Sequence, residues 1–114
     1  MYSSDMYRLE NETFGGCVLR LAMAIPMGCV ATYGDIARAA GGGPQSARSI
    51  TGILSRAYKN GNTDIPFHRI VYSNGRVWIG NQADSMRMQL YAQEGIKINE
   101  QGRIVDFDQV RYEF

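Results

Sequence analysis

Reactive side chains are few in this sequence of 114 residues, which contains one histidine and two cysteines. His68 follows an apolar Ile-Pro-Phe run, and an imidazole can serve as an acid, a base or a metal ligand near neutral pH. Cys17 and Cys29 have no partner at metal-ligand spacing, so we expect two reduced, mostly buried thiols and neither a metal nor another cofactor. Taken alone, a single histidine in an apolar setting indicates a core group rather than a catalyst.

Charge is distributed unevenly along the chain, although its net value is only +1. Six basic and two acidic residues lie between positions 48 and 90, whereas five acidic and three basic residues lie from position 91 to the end. Binding to a polyanion depends on the local field, so this distribution is compatible with one side that faces DNA. An uneven but solvated surface also explains the charges, and charge alone favours that interpretation.

Two helices are predicted in the first third of the chain. Apolar residues recur at helical spacing over residues 14–25 and stop at Pro26, which predicts a helix over that stretch. Thr32 places a hydroxyl three residues before the carboxylate of Asp35, which is the arrangement of a capping box. A short helix is therefore expected over residues 33–40.

A third helix is expected after a glycine break. Gly41–Gly43 interrupt the pattern, and Pro44 fits the first position of a helix that should run to Tyr58. The stripe predicted to be buried consists of Ala47, Ile50, Leu54 and Ala57. The opposite face, which is small and polar, consists of Arg48, Thr51, Gly52 and Ser55. Two helices joined by a short turn predict a helix-turn-helix, in which small residues let the second helix approach a DNA groove. A plain helical hairpin within a core fits the pattern equally well.

A wing is predicted after these helices. The pair Asn74-Gly75 stands between two β-rich runs, residues 70–72 and 76–79, and indicates a hairpin because both residues tolerate positive φ. Two helices followed by a hairpin predict a winged helix. The elements expected after the wing are a helix over 83–94 stopped by Gly95, a second small hairpin with strands 96–98 and 103–105, and a closing segment over 107–114.

Four segments resemble the O6-alkylguanine-DNA alkyltransferases, and together they cover roughly residues 14–98. The first is Ile65-Pro66-Phe67-His68-Arg69-Ile70-Val71, which is similar to the active-site strand of that family, with Phe67 where the family has cysteine. The others are residues 25–37 and 43–48, which are similar to the first and second helices of its DNA-binding motif, and the pair Glu94-Gly95. The resemblance implies a single domain over 1–114 that is mainly α with small β-hairpins. It would be a winged helix-turn-helix DNA-binding domain like the C-terminal domain of the alkyltransferases.

The resemblance implies a repair site that has lost its nucleophile. Alkyltransferases act through a thiolate that attacks the alkyl carbon of a flipped guanine, which requires a histidine beside the thiol and a carboxylate that orients the histidine. His68 and Glu94 match that histidine and carboxylate, whereas Phe67 has no lone pair with which to accept an alkyl group. This implies the alkyltransferase-like branch, which binds alkylated guanine without transfer and usually has tryptophan here. We therefore expect no catalytic residue, although a large aromatic ring can still pack beside an alkyl group.

Further roles are implied by position within the family. Tyr33 resembles the tyrosine that presses on the DNA backbone and rotates a nucleotide outward, and Arg48 resembles the arginine finger that fills the vacated stack. Without the resemblance, the same residues would be a packed surface aromatic and a solvated charge. Arg69 is expected to tie loops together. The predicted DNA-binding residues are Tyr33, Arg48, Thr32, Gln45, Ser46, Thr51 and Gly52, and the predicted lesion pocket consists of Phe67, His68, Trp78 and Tyr33.

Several positions depart from the pattern of the family. Thr51 stands where the family has a glycine. The loop over 59–64 is longer, and it offers Asn60 and Asn62 as alternative counterparts of a pocket asparagine. Gly80 stands where the family has a side chain that senses the flipped base. Arg76 or Trp78 could take over the sensing role that a glycine cannot perform. Trp78 fits the core of the hairpin equally well.

The leading hypothesis is a non-enzymatic sensor that binds O6-alkylguanine in double-stranded DNA by nucleotide flipping, with nucleotide excision repair proteins as the implied partners. Two alternatives remain open: a residual alkyltransferase that uses a displaced thiol, and a winged-helix regulator that reads undamaged sequence. We expect an intracellular monomer, cytoplasmic or located at the nucleoid or nucleus. No signal peptide or membrane span is expected, because the longest apolar stretch is interrupted by Arg20, Pro26 and Gly28.

Overall fold

The computed structural model describes residues 9, 11–43, 45–78 and 83–114, and in the last range the side chains from Met86 onward. The helices and strands in these ranges are α1 (Phe14–Ala24), β1 (Ala31–Thr32), α2 (Tyr33–Ala39), α3 (Ile50–Lys59), β2 (Ile70–Val71), α4 (Ala83–Gln93) and α5 (Phe107–Val110). Short 3₁₀ turns, Ser46–Ser49 and Phe67–Arg69, precede α3 and β2. The mainly helical architecture predicted from the sequence is confirmed. None of the helices in the described ranges is long and apolar enough to cross a membrane.

The first helix, α1, begins and ends where the sequence predicts. The hydroxyl of Thr13 accepts the amide N–H of Gly16 at 2.9 Å, which satisfies a donor that the helix itself cannot pair. Ile25 has an extended backbone, and Pro26 cannot continue the helix because it lacks an N–H. The face turned to the core consists of Cys17, Val18, Leu21, Ala22 and, just beyond the helix, Ile25.

The second helix, α2, begins with the predicted capping box. The hydroxyl of Thr32 accepts the amide N–H of Asp35 at 2.9 Å, and the Asp35 carboxylate accepts the amide N–H of Thr32 at 3.1 Å. The helix ends in a Schellman motif, in which Gly41 has φ +87° and the amide of Gly42 donates to the carbonyl of Ala37 at 2.8 Å. The chain therefore reverses within a few residues toward the next helix.

The turn into α3 depends on a close approach of two segments. A Cβ at Gly42 would lie 2.6 Å from the side chain of Ser46, so a glycine is needed where α2 meets the following 3₁₀ turn. That turn becomes α-helical only at Ile50, and the prediction of one continuous α-helix is wrong over its first turn. The hydroxyl of Ser49 donates to the carbonyl of Ser46 at 2.7 Å, and this bond competes with an α-helical one. Pro44, the predicted first helical position, lies outside the described residues.

The buried stripe of α3 agrees with the prediction. Ile50 and Leu54 are almost fully buried, and Ala47 and Ala57 are partly buried against the same cluster. This cluster joins α1, α2 and α3 in a first hydrophobic core. It holds the small polar face of α3 outward, so that face does not take part in the core.

A parallel pair of strands separates this core from a second one. The register of β1 and β2 pairs Ala31 with Ile70 and Thr32 with Val71. Because successive strand residues face opposite sides, Ala31 and Ile70 pack in the first core and Val71 packs in the second. The second core consists of Val30, Val71, Val77, Tyr91, Ile96 and Ile104.

The wing forms the predicted turn but not the predicted pairing. The amide of Gly75 donates to the carbonyl of Tyr72 at 2.9 Å, and the amide of Tyr72 donates to the carbonyl of Arg76 at 3.0 Å. Beyond the turn, β2 pairs with β1, whereas Arg76 forms an antiparallel bridge with Arg103. Both residues of β2 are buried, one toward each core, and this favours a partner inside the fold over a partner in the wing. Ile79, the end of the predicted second run, lies outside the described residues.

The C-terminal third follows the predicted order. The helix α4 ends before Gly95, which has φ +75°, and an antiparallel bridge between Ile98 and Ile104 confirms the second small hairpin. The closing segment contains α5 and then forms a parallel bridge between Arg111 and Val30. This last contact adds the end of the chain to the edge of the small sheet.

Candidate nucleic-acid interface and base pocket

The carboxylate of Glu94, which directly follows α4, accepts hydrogen bonds from separate parts of the chain. His68 approaches it through Nε2 at 2.6 Å, Arg69 donates through Nη2 at 2.8 Å, and the amide of Gly28 donates at 3.0 Å. Arg69 also donates through Nη1 to the carbonyl of Ile25 at 3.0 Å. Glu94 and Arg69 therefore tie the 3₁₀ turn before β2 to the loop before β1 and to the end of α4, which agrees with the expectation for Arg69.

The charge of Glu94 fixes the proton arrangement of the pair. Burial alone raises the pKa of the Glu94 carboxyl, but hydrogen bonds from Arg69, the Gly28 amide and His68 outweigh burial and lower that pKa to about 2. Glu94 is therefore ionised at neutral pH and can only accept hydrogen bonds. Nε2 of His68 must then carry a proton that it donates to Glu94, which holds the imidazole ring in one orientation. Such an oriented imidazole is the arrangement that activates a neighbouring thiol in nucleophilic catalysis.

Phe67 stands beside His68, where that chemistry would need a nucleophile. Its half-buried ring meets the ring of Tyr58 edge-on, with 5.9 Å between the centroids. A cavity of about 200 Å³ opens here, and its lining among the described residues is Ile65, Phe67, His68, Met86, Arg87 and Leu90. Four of these six side chains carry no hydrogen-bond donor, so the cavity suits an alkyl group with one polar edge beside it.

The thiols lie elsewhere in the fold. Cys17 is fully buried in α1, and Cys29 is half-buried before β1 and packs against the first core. Neither belongs to the described lining of the cavity beside Phe67. Within the part of the chain that the structure describes, no three His, Cys, Asp or Glu side chains are grouped so that they could hold a metal ion.

Of the other predicted pocket residues, neither Trp78 nor Tyr33 belongs to the described lining of this cavity. Trp78 is 44% exposed, so its alternative placement in the core is wrong, and the guanidinium of Arg87 lies over its ring at 5.2 Å. The ring of Tyr33 packs 5.8 Å from that of Tyr72, and the charge of Arg87 acts on the Tyr33 phenol. Arg87 thus connects the cavity with the wing, and the sequence interpretation missed it. The available signal was its spacing of seven residues before Glu94, which corresponds to about two helical turns along one face.

The predicted DNA-facing surface is largely exposed. Gln45, Arg48, Thr51 and Gly52 are exposed and Ser46 is half-buried, on the outer side of the 3₁₀ turn and of α3. Thr32 is different, since it is 2% exposed and its hydroxyl already accepts the amide of Asp35. The side chain of Thr32 therefore positions α2, and a contact between Thr32 and DNA stays a prediction.

Tyr33 is the first residue of α2 and bridges to α3. Burial raises the pKa of its phenol, and a hydrogen bond with Thr51 offsets part of this rise. Tyr33 is therefore neutral at physiological pH and presents an aromatic ring and a hydroxyl rather than a charge. Thr51, which departs from the glycine of the family, places a hydroxyl near the phenol of Tyr33, which a glycine could not do.

The remaining departures stand apart from the cavity. Asn60 and Asn62 are exposed, and the side chain of Asn62 donates to the carbonyl of Ala57 at 3.4 Å. Neither belongs to the described lining, so neither is placed as a pocket asparagine. Arg76 is exposed in the wing, where it lines a separate cavity of about 490 Å³ together with Trp78. Gly80 lies outside the described residues.

A tight turn between two helices, an exposed small-polar face on the second helix and an adjacent wing define a winged helix-turn-helix DNA-binding domain. The chain belongs to the family described as the DNA-binding domain of 6-O-methylguanine DNA methyltransferase, which matches residues 13–96. The resemblance seen in the sequence is thereby confirmed.

Similar proteins include a base-flipping protein and a methyltransferase. A DNA base-flipping protein of Escherichia coli is 32% identical over 105 residues, which are 92% of this chain and 78% of that protein. A methylated-DNA–protein-cysteine methyltransferase of Methanothermobacter thermautotrophicus is 34% identical over 101 residues, which are 83% of this chain and 54% of that protein. The structure of S. pombe Atl1 in complex with damaged DNA containing O6-carboxymethylguanine shares the fold. Its TM-score is 0.69 at 24% identity, over 94% of this chain and 99% of that one.

Proposed function

We propose that this protein binds double-stranded DNA, rotates an O6-alkylated guanine into the cavity beside Phe67 and holds it there without transferring the alkyl group. The observation that carries the proposal is Phe67, an aromatic ring at the position where His68 and an ionised carboxylate would require a thiol. The name of the Escherichia coli relative supports the flipping step, and the S. pombe protein of the same fold binds damaged DNA.

Tyr33 and Arg48 are the side chains that rotate the nucleotide outward and fill the space it leaves. Tyr33 stands at the start of α2, where its half-buried ring can press on the DNA backbone without moving. Arg48 is exposed on the 3₁₀ turn before α3, where its guanidinium can enter the duplex and fill the vacated stack. Flipping costs a few kcal/mol in unstacking and unpairing, and a stacked guanidinium offsets part of that cost.

Binding is the end of the process because the site has no group that can take the alkyl carbon. A phenyl ring has no lone pair to donate, and the thiols of Cys17 and Cys29 are held against the first core. The alkyl group instead packs against Phe67 and the apolar side chains around it. We propose that the bound protein, acting as a monomer, marks the lesion for nucleotide excision repair. A reconstituted excision assay with and without the protein tests this role, and sedimentation tests the monomer.

A titration of matched duplexes tests the central proposal. The duplexes carry either guanine or O6-methylguanine at one position, each in two sequence contexts, and binding is followed by fluorescence anisotropy. We expect tighter binding of the lesion in both contexts and an unchanged protein mass after incubation. Mass gain by one methyl group would identify an alkyltransferase, and a preference for one context regardless of the lesion would identify a sequence-reading regulator.

A further inference from the structure

Two polar side chains of α4, Arg87 beside Phe67 and Tyr91 beside His68, are not yet used by the proposed function. Arg87 and Tyr91 are four residues apart, so they lie on the same face of α4. Nη1 of Arg87 donates to the carbonyl of Phe67 at 3.4 Å, and its guanidinium carbon lies 5.2 Å from the centre of the Trp78 ring. A backbone carbonyl on one side and an indole on the other therefore hold this guanidinium at the edge of the cavity.

The hydroxyl of Tyr91 is buried and, among the described residues, has no hydrogen-bond partner. Tyr91 is 1% exposed, and its ring packs against that of His68 with 5.9 Å between the centroids. Burial raises the pKa of this phenol, and hydrogen bonding and charge from Arg87 lower it in part, so the guanidinium lies close to the hydroxyl although the pair does not meet hydrogen-bond geometry. Buried polar groups normally find partners, and an unpaired one beside a cavity indicates a site whose hydrogen bonds are completed by a ligand.

We infer that Arg87 reads the alkylated edge of the flipped base and so selects O6-alkylguanine over guanine, with the hydroxyl of Tyr91 supporting it once the base is bound. This inference rests on the proposed function. A guanidinium has only N–H donors and no acceptor. Guanine presents its own N1–H donor beside O6, so two donors would face each other. Alkylation of O6 removes the N1 proton and turns N1 into an acceptor, which a guanidinium can bind.

The neighbouring N–H donors are already engaged. Nε2 of His68, which lines the cavity, donates to Glu94, and the guanidinium of Arg69, which is absent from the described lining, is divided between Glu94 and the carbonyl of Ile25. Arg87, by contrast, uses one N–H on the carbonyl of Phe67 and lines the cavity directly. Its contact with Trp78 orients the guanidinium plane before any base arrives. Among the described residues, Arg87 is therefore the donor best placed to discriminate between the two bases.

Three duplexes that differ at one position test the inference by fluorescence anisotropy: guanine, O6-methylguanine and 2-aminopurine. The last base has an unprotonated N1 but neither an oxygen nor an alkyl group, so it isolates the N1 edge. Arg87→Met removes the donors and keeps the length of the side chain. The matched control is Arg56→Met, because Arg56 is exposed near the end of α3 and is absent from the described lining of the cavity.

We expect Arg87→Met to reduce the preference for O6-methylguanine and for 2-aminopurine over guanine by about tenfold, the scale of a good contact to a base edge. Arg56→Met should leave both preferences unchanged. Because the variants are compared on the same duplexes, the different costs of unpairing cancel. A uniform loss on all three duplexes, with the salt slope lowered by about one, would make Arg87 a phosphate contact and overturn the inference. Wild-type protein without any preference for the lesion would overturn the proposed function instead.

Two further variants keep the inference falsifiable if Arg87→Met does not fold. Arg87→Gln supplies an amide oxygen that can accept the N1–H of guanine, so it should strengthen guanine binding relative to the lesion, and an unchanged ratio would contradict the inference. Tyr91→Phe removes the unpaired hydroxyl, so we expect a higher melting temperature together with a lesion preference lowered about threefold. A higher melting temperature with an unchanged preference would show that the hydroxyl does not support Arg87.

Discussion

Nε2 of His68 lies 2.6 Å from Oε2 of Glu94, and this pair is complete although the neighbouring side chain is a phenylalanine. The same carboxylate holds the guanidinium of Arg69 and the amide of Gly28. Removing the pair would therefore release contacts among three segments of the chain. The structure gives the His68–Glu94 pair a structural role that does not depend on alkyl transfer.

Restoring a thiol at position 67 should restore little transfer. We expect Phe67→Cys to transfer an alkyl group slowly at most, because His68 and Glu94 remain but the cavity around them is not built for a thiolate. Single-turnover transfer from O6-methylguanine DNA measures the rate, and Phe67→Ala is the control that opens the same space without a thiol. A rate close to that of a true alkyltransferase would show that the cavity is catalytically intact.

Truncation of Tyr33 should matter more than loss of its hydroxyl. We expect Tyr33→Phe to weaken lesion binding by a small factor and Tyr33→Ala to weaken it more, because the ring supplies steric pressure on the backbone. The hydroxyl lies near that of Thr51, so Tyr33→Phe also tests whether the two interact. Titrations of the two variants on lesion duplexes decide the matter. Equal losses would place the effect on the hydroxyl and contradict a mainly steric role.

Replacing Arg48 should remove much of the preference for the lesion. A guanidinium that stacks in the gap left by the flipped base contributes only when flipping occurs, so we expect Arg48→Ala to cost about 1–3 kcal/mol in lesion preference. Affinities for lesion and undamaged duplexes at two salt concentrations provide the measurement. A uniform loss on both duplexes, with the salt slope reduced by about one, would make Arg48 a phosphate contact and remove the arginine-finger assignment.

Acid should erase the stabilising contribution of Glu94. Its folded-state pKa is lowered to about 2 from an ordinary 4.5, so the contribution is fully present above the ordinary value and is lost as the pH falls toward 2. We expect Glu94→Gln to lower the melting temperature at pH 6, with a difference from wild type that shrinks between pH 4.5 and pH 2. The exposed Glu100→Gln serves as the control. A difference that stays constant over this range would show that the charge of Glu94 contributes nothing.

The sequence predicted those elements that depend on residues close together in the chain. The capping box of Thr32 and Asp35 and the stop of α1 at Pro26 each depend on residues a few positions apart, and each is confirmed. The small polar face of α3 was predicted from helical spacing in the same way. The family resemblance brought together His68 and Glu94, which are 26 residues apart and which no periodicity could have paired.

The features that the sequence did not reveal depend on contacts between distant segments. The wing turn at Gly75 was predicted, but the choice of β1 rather than the wing as the partner of β2 depends on burial toward two cores at once. The 3₁₀ turn before α3 depends on the hydroxyl of Ser49 taking a carbonyl that a helix would use. The position of Arg87 at the cavity was not predicted, because it depends on contacts with Phe67 and Trp78 that form only in the folded chain.

The carboxylate of Glu94 also bears on how proteins of this family should be classified. A survey that assigns alkyl transfer from the histidine, the arginine and the glutamate would count this chain among the enzymes. Those side chains brace three segments of the chain against one another, so they contribute to folding whether or not an alkyl group is transferred. The residue before the histidine indicates alkyl transfer better than these three side chains do. Phe67 takes no part in the hydrogen bonds of Glu94, so the residue at this position can change without breaking them.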